Sequence, residues 1–260
     1  MMCTVRQILA LVKLSLLDLY RRKDMAVVVI FLGIVIVPLL FVSPFGVKGA
    51  SRYINELTVL LIWIFTAIIG VARAAQIFPL EIESRTIFPM MAKPIHRGLI
   101  VVGRYLGLWL ALAGALIVFY GAYGVLVGVR SGVWFTPVFW QALVLHLGFL
   151  AIVCALALLG SLIMTASANV TCCGLICVGM LAYGGRLEHM SEQQGPFGKT
   201  VLYVLNWVAP HLEFFDMRHR LVHEWPSISW GVCALALGYA LVYTALCLMA
   251  AGLLFKNKRM

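Results

Sequence analysis

The chain contains six long, uninterrupted apolar runs: Met25–Pro44, Leu57–Phe78, Leu99–Gly128, Val138–Thr165, Val170–Gly185 and Ile228–Phe255. A helix crossing a hydrocarbon core of ~30 Å needs about 20 apolar residues. Only helices and closed barrels satisfy their backbone polar groups in lipid. The runs lack the period-two alternation of barrel strands. The expected fold class is therefore an all-α integral membrane protein, a single domain over 1–260 with six transmembrane helices. The fifth run is the shortest and holds Thr171 and three cysteines, so its ends are the least sharply marked. Before it, Ala166-Ser167-Ala168-Asn169 suggests a tight turn out of the fourth span.

Composition agrees. Hydrophobic residues make up 63% of the chain and charged ones 12%, against roughly 45–50% and about 25% in soluble domains. A soluble enzyme, a disordered tail and a nucleic-acid module are excluded on that ground. The net charge of +10 is then a matter of topology. With the N-terminus in the cytoplasm and six spans, thirteen of the twenty basic residues and four of the ten acidic ones fall on the cytoplasmic side. That side carries +9 and the outer side +1, as the positive-inside rule asks.

The first run follows 24 residues with five basic side chains. It is long enough to span and lacks a small-x-small cleavage pattern, so it is expected to be a retained anchor. Within 1–24, Val5, Ile8, Leu9, Val12, Leu16 and Leu19 alternate with Arg6, Lys13 and Asp18. This spacing predicts an amphipathic helix lying in the inner interface. The seven cysteines fall almost entirely inside spans and read as small apolar residues rather than a disulfide framework or a metal site.

Two polar stretches remain. The link 79–98 between the second and third spans mixes Glu81, Glu83, Ser84, Arg85 and Thr86 with apolar Ile82, Ile87, Met90 and Met91, and closes with Lys93, Pro94 and Arg97. Acidic residues at its start and basic ones at its end suit a helix dipole, and Pro94 stops or bends the chain. The outer connection Arg186–Ser227 begins as a polar, glycine-bearing loop. It continues as an alternation of aromatic and polar groups, with Trp207, Trp225 and Trp230 suited to the headgroup level.

The order Glu81-x-Glu83-x-Arg85-Thr86, Lys93-Pro94-Ile95-x-Arg97 and Gly103-Arg104-Tyr105 resembles the segment between spans two and three in permease subunits of ABC-2 type transporters. The basic amphipathic N-terminus and six spans with both termini inside are similar to that family over nearly the whole chain. The resemblance implies that 79–98 is a coupling helix docking into an ATPase subunit through Glu81, Glu83, Ser84, Arg85 and Thr86, with Lys93, Pro94 and Arg97 closing it. A solvated loop stabilised by its own ion pairs is the alternative. The resemblance further implies a homodimer of permease subunits in a bacterial cytoplasmic membrane, with short external helices before the last span. ATP and Mg would be bound by the separate ATP-binding subunit, and no cofactor by this chain. The run from Leu212 through Phe215 and Arg218 to Val222 and His223 also resembles permeases associated with multicopper-enzyme maturation, including the nitrous-oxide-reductase assembly transporter.

Sites of chemistry are few. Gly198-Lys199-Thr200 ends like a phosphate-binding loop, but position 193 is Gln193 where the motif wants glycine, and no strand precedes it. The chain therefore carries no ATPase and no catalytic constellation, and is not expected to be an enzyme. His219 and His223 lie one helical turn apart near His211, Glu213, Asp216 and His189. Metal ligation and ordinary histidine–carboxylate hydrogen bonding both fit that group, and the expectation is that no metal is bound. One histidine pair is too few for a di-iron oxygenase. Arg73 is placed to snorkel to the inner face. His146 lies inside the fourth span, where it either hydrogen-bonds a neighbouring helix or lines a pathway. Small residues at Ala111, Ala113, Gly114, Ala115, Gly121, Gly124 and Gly128 permit close helix packing in the third span. Two functions fit: ATP-driven export by a permease subunit, or a mechanotransmitting or scaffolding subunit that acts on an external partner protein through 186–227. Lipids, hydrophobic drugs and polymer-linked lipids suit such apolar spans equally well as cargo.

Overall fold

The computed structural model describes residues 48–84, 97–132, 134–183, 195–223 and 225–257, with eight further positions between Ala10 and Ile34. The expected interfacial helix and first span, apart from those eight positions, lie outside the described residues. Among the described residues every regular element is helical: α1 (Lys48–Glu83), α2 (Arg97–Ser131), α3 (Pro137–Gly160), α4 (Ala166–Tyr183), α5 (Pro196–Val208), a 3-10 turn (Leu212–Phe215), α6 (Arg218–Val222) and α7 (Trp230–Asn257). Five of these are long and apolar enough to cross a membrane: Tyr53–Glu83, Gly98–Val129, Pro137–Gly160, Ala166–Tyr183 and Trp230–Lys256. The protein is thus a multi-pass membrane protein of the all-helical class.

Helix α3 is the axis of the bundle. Its most apolar stretch is 72% buried, against 22% in α4 and in α7, and α1, α2, α4 and α7 all pack on it. In lipid no hydrophobic force drives helices together, so dispersion and interhelical hydrogen bonds must do it. From α2, the Tyr105 hydroxyl donates to Ala151 O at 3.1 Å and the Trp109 indole N–H to Leu147 O at 3.2 Å. Gly124 and Gly128 of α2 admit aromatic rings rather than another backbone. A methyl at Gly124 would lie 2.8 Å from the Phe135 ring, and one at Gly128 2.6 Å from Trp134. Gly114 and Gly121 meet nothing within 4 Å, so close packing holds for one end of the stripe only.

Helix ends depart from the apolar runs for identifiable reasons. α3 stops at Gly160 instead of Thr165 although Leu162, Ile163 and Met164 prolong the hydropathy. The Ser161 hydroxyl donates back to Leu158 O at 2.6 Å, and the Asn169 side-chain amide donates to Ala157 O at 2.7 Å. Asn169 also lies directly against the Gly160 backbone, where any Cβ would collide with its carboxamide. The turn expected over Ala166-Ser167-Ala168-Asn169 lies earlier, at 161–165; those four residues are already the first turn of α4, from which Asn169 caps α3. At the other limit, α1 does not stop at Phe78 but continues through Pro79 to Glu83. Its 36 residues amount to about 54 Å at 1.5 Å per residue, well beyond a ~30 Å core.

The bundle has two distinct ends. At one, Phe78 of α1 meets Phe255 of α7 with centroids 5.2 Å apart, and Glu81 pairs with Arg104. At the other, α5, the 3-10 turn and α6 form the expected short helices before the last span. Gln141 of α3 pins the start of that span: its amide donates to Ile228 O at 2.6 Å and its carbonyl accepts from Ile228 N–H at 3.1 Å.

Candidate functional site

At the Glu81 end, α1 carries three of the residues assigned to coupling. Glu83 and Ser84 are exposed, and the Ser84 hydroxyl donates to Leu80 O at 2.6 Å, closing the last turn. Glu81 is different: it is buried, and its carboxylate receives the Arg104 guanidinium at 2.6 Å, with the two side chains 11% and 7% exposed. Its position joins α1 to α2 within the bundle. Arg97 is the first residue of α2. Arg85, Thr86, Lys93 and Pro94 lie outside the described residues.

At the other end, the segment after α5 folds back over the bundle through Leu212, Phe215, Met217 and Val222, all buried. Phe215 sits on Gly148 of α3, where an added methyl would approach its ring to 3.0 Å. The remaining polar groups form a continuous stack running inward. Asp216 holds Arg218 by a fork, with Nε to Oδ1 at 2.8 Å and Nη2 to Oδ2 at 2.6 Å. Burial alone would raise the Asp216 pKa, but the hydrogen bonds and charge of Arg218 outweigh it and hold the carboxyl below its ordinary value. The same pairing raises Arg218 against its own desolvation. The guanidinium lies over Trp63 of α1, 5.4 Å from the ring centre, and Trp63 stacks on His146 of α3 with centroids 4.3 Å apart.

His146 is fully buried and has both ring nitrogens engaged. Nε2 is 3.0 Å from the Thr66 hydroxyl of α1, and Nδ1 is 3.2 Å from the Tyr120 hydroxyl of α2. Thr66 also donates toward Ile62 O and Trp63 O. One side chain thus ties together three helices. Of the two roles open to His146, interhelical hydrogen bonding is the one its surroundings match.

Among the described residues, the histidines and acids of the 186–227 stretch separate into three groups. His211 pairs with Glu213 at 3.0 Å, and its backbone N–H donates to the Tyr239 hydroxyl of α7. Asp216 belongs to Arg218. His219 and His223 remain together, rings parallel within 5°, but their carboxylate neighbour is Glu56 of α1, with His219 Nδ1 and Glu56 Oε1 3.5 Å apart. His189 lies outside the described residues. Glu56 was missed because nothing in a linear reading links the start of one span to a short helix much later in the chain. Beside this group, Tyr123, Phe135, Phe139, Arg220 and Trp225 line a cavity of about 220 Å3, below the roughly 300–1,000 Å3 of small-molecule pockets.

Gly198, Lys199 and Thr200 fall in the first turns of α5, and no strand occurs among the described residues. The described cysteines are all unpaired in disulfides, and five of the six are buried. No protein-family model matches the chain, and no curated protein matches it.

Proposed function

We propose that the chain is the membrane-spanning permease subunit of an ABC-2 type transporter, driven by a separate ATP-binding subunit that docks at the Glu81 end. The observation that carries the reading is the ordered motif Glu81-x-Glu83-x-Arg85-Thr86 with Lys93-Pro94 and Arg97 behind it, whose Glu81 and Glu83 lie in the last turn of α1. Support comes from Glu83 and Ser84, which α1 presents on its exposed last turn. Export would follow from alternation between two arrangements of a permease dimer, with both termini on the cytoplasmic face of a bacterial inner membrane. Within this reading Glu81 is a strut that fixes the end of α1, and the docking contacts are Glu83, Ser84 and the residues after them.

A second reading, mechanotransmission to an external partner, is favoured by one feature. The 209–228 segment is stacked through Arg218 and Trp63 onto His146, so a shift of α1 against α3 would be carried into it. The test is copurification with the ATPase expressed alongside. Wild-type chain retains it, while Glu83→Lys and Arg85→Glu lose it. Retention by both variants with ATPase activity intact overturns the assignment. Substrate-stimulated ATP hydrolysis with uptake in proteoliposomes separates export from mechanotransmission.

A further inference from the structure

We propose that Glu56, His219 and His223 form a binding site for one divalent transition-metal ion of the zinc type. The three donors come from two elements. α6 runs from Arg218 to Val222, and the His223 N–H bonds back to His219 O at 2.9 Å, so His223 completes the helical turn begun at His219. Two histidines four residues apart share one helix face, an arrangement that supplies two ligands to one ion. Glu56 of α1 approaches that face from the side. The three donor atoms all lie within 4.8 Å of one another, and His219 Nδ1 to Glu56 Oε1 is already 3.5 Å. Bonds of about 2.0–2.1 Å in a tetrahedron place donors roughly 3.3 Å apart. That pair therefore stands at near-ligating separation, with the His223 donor inside the same 4.8 Å cluster.

Chemistry selects the ion. Two imidazoles and one carboxylate suit Zn2+ and its neighbours, whereas Mg2+ and Ca2+ want oxygen donors throughout. Three protein ligands also leave a fourth position for water or a partner's side chain. The site is accessible, with His219 64% and Glu56 39% exposed at the side chain. Arg218 forks onto Asp216 and lies over Trp63 while its charge also reaches Glu56, so an ion must outcompete that attraction, and Arg220 lies over Trp225 and toward Pro226 O. A bound ion would clamp α1 to the segment that covers the bundle. The inference stands independently of the permease reading.

The test uses the full chain in detergent or nanodiscs, with Zn2+ as the probe and a chromophoric chelator as competitor. Wild type is expected to hold one equivalent per chain after dialysis and to melt at a higher temperature with Zn2+ present. Glu56→Gln, His219→Ala and His223→Ala each should bind more than about tenfold more weakly, because even losing an outer-shell partner costs a metal site about that much. His211→Ala, in its separate pair with Glu213, should bind as wild type. Mg2+ at the same concentration should leave the melting temperature unchanged. Size-exclusion profiles identify any misfolded variant, and Glu56→Asp provides a milder second removal of reach. No Zn2+ bound by wild type, or equal binding by all three ligand variants, refutes the site.

Discussion

The Glu81–Arg104 pair allows a quantitative test of how the end of α1 is held. The two charges are 2.6 Å apart with side chains 11% and 7% exposed. At an effective dielectric of about 20 their attraction is roughly 6 kcal/mol, most of it offset by the cost of removing both groups from water. The net worth of the pair is therefore small, while the cost of breaking it is large. Glu81→Met takes away the carboxylate that meets the Arg104 guanidinium, Arg104→Met takes away the guanidinium that meets Glu81, and each should destabilise by about 3–5 kcal/mol. The double variant removes both charges and replaces them with flexible apolar side chains, so it should lie within about 1–2 kcal/mol of wild type. The assay is a double-mutant cycle on reversible unfolding in mixed micelles. The expected coupling is at least about 3 kcal/mol; additivity within about 0.5 kcal/mol, the behaviour of independent sites, would refute the reasoning. It would also return Glu81 to the set of proposed docking contacts at that end.

Gln141→Leu removes both part-buried hydrogen bonds to Ile228 and should cost about 1–3 kcal/mol in all, read as a lower melting temperature. Gly160→Ala drives a methyl into the Asn169 carboxamide and should cost about 1–3 kcal/mol through overpacking. Adding Asn169→Ala should recover part of that loss, whereas a simple sum of the two single effects would refute the contact. Asp216 has its pKa held below the ordinary 3.8 by Arg218, so the stability it contributes is present above about pH 4 and lost as pH falls through the folded value. Thermal melts between about pH 2 and pH 5 should steepen for wild type relative to Asp216→Asn; identical slopes would contradict the pairing.

The membrane class was legible because apolar length is a one-dimensional property, and the five described spans lie where runs of lipid-compatible residues lie. Their ends were less legible. Leu162, Ile163 and Met164 look like helix by hydropathy, yet α3 stops before them because Asn169, further along the chain, supplies the cap. The second apolar run ends at Phe78, yet α1 passes on through Pro79 to Glu83. In the candidate sites, the spacing of His219 and His223 was readable because four residues make a helical turn. Glu56 was not, since its proximity is created by the packing of α6 on α1. His146 stood out as an intramembrane histidine, but Trp63, Thr66 and Tyr120 around it are ordinary span residues until three helices meet. The family resemblance groups Glu81 with Glu83, and burial sets the two apart.

The most direct measurement is site-specific photo-crosslinking in membranes holding the chain with the proposed ATP-binding subunit. A photoreactive residue is placed at Glu83 or Ser84 on the exposed last turn of α1, and at Phe197 or Tyr203 on the exposed surface of α5. Crosslinks to the ATPase from Glu83 and Ser84, with none from Phe197 and Tyr203, are the expected result. Crosslinks from the α5 positions alone, or none from either end in an assembled complex, would contradict the proposed coupling.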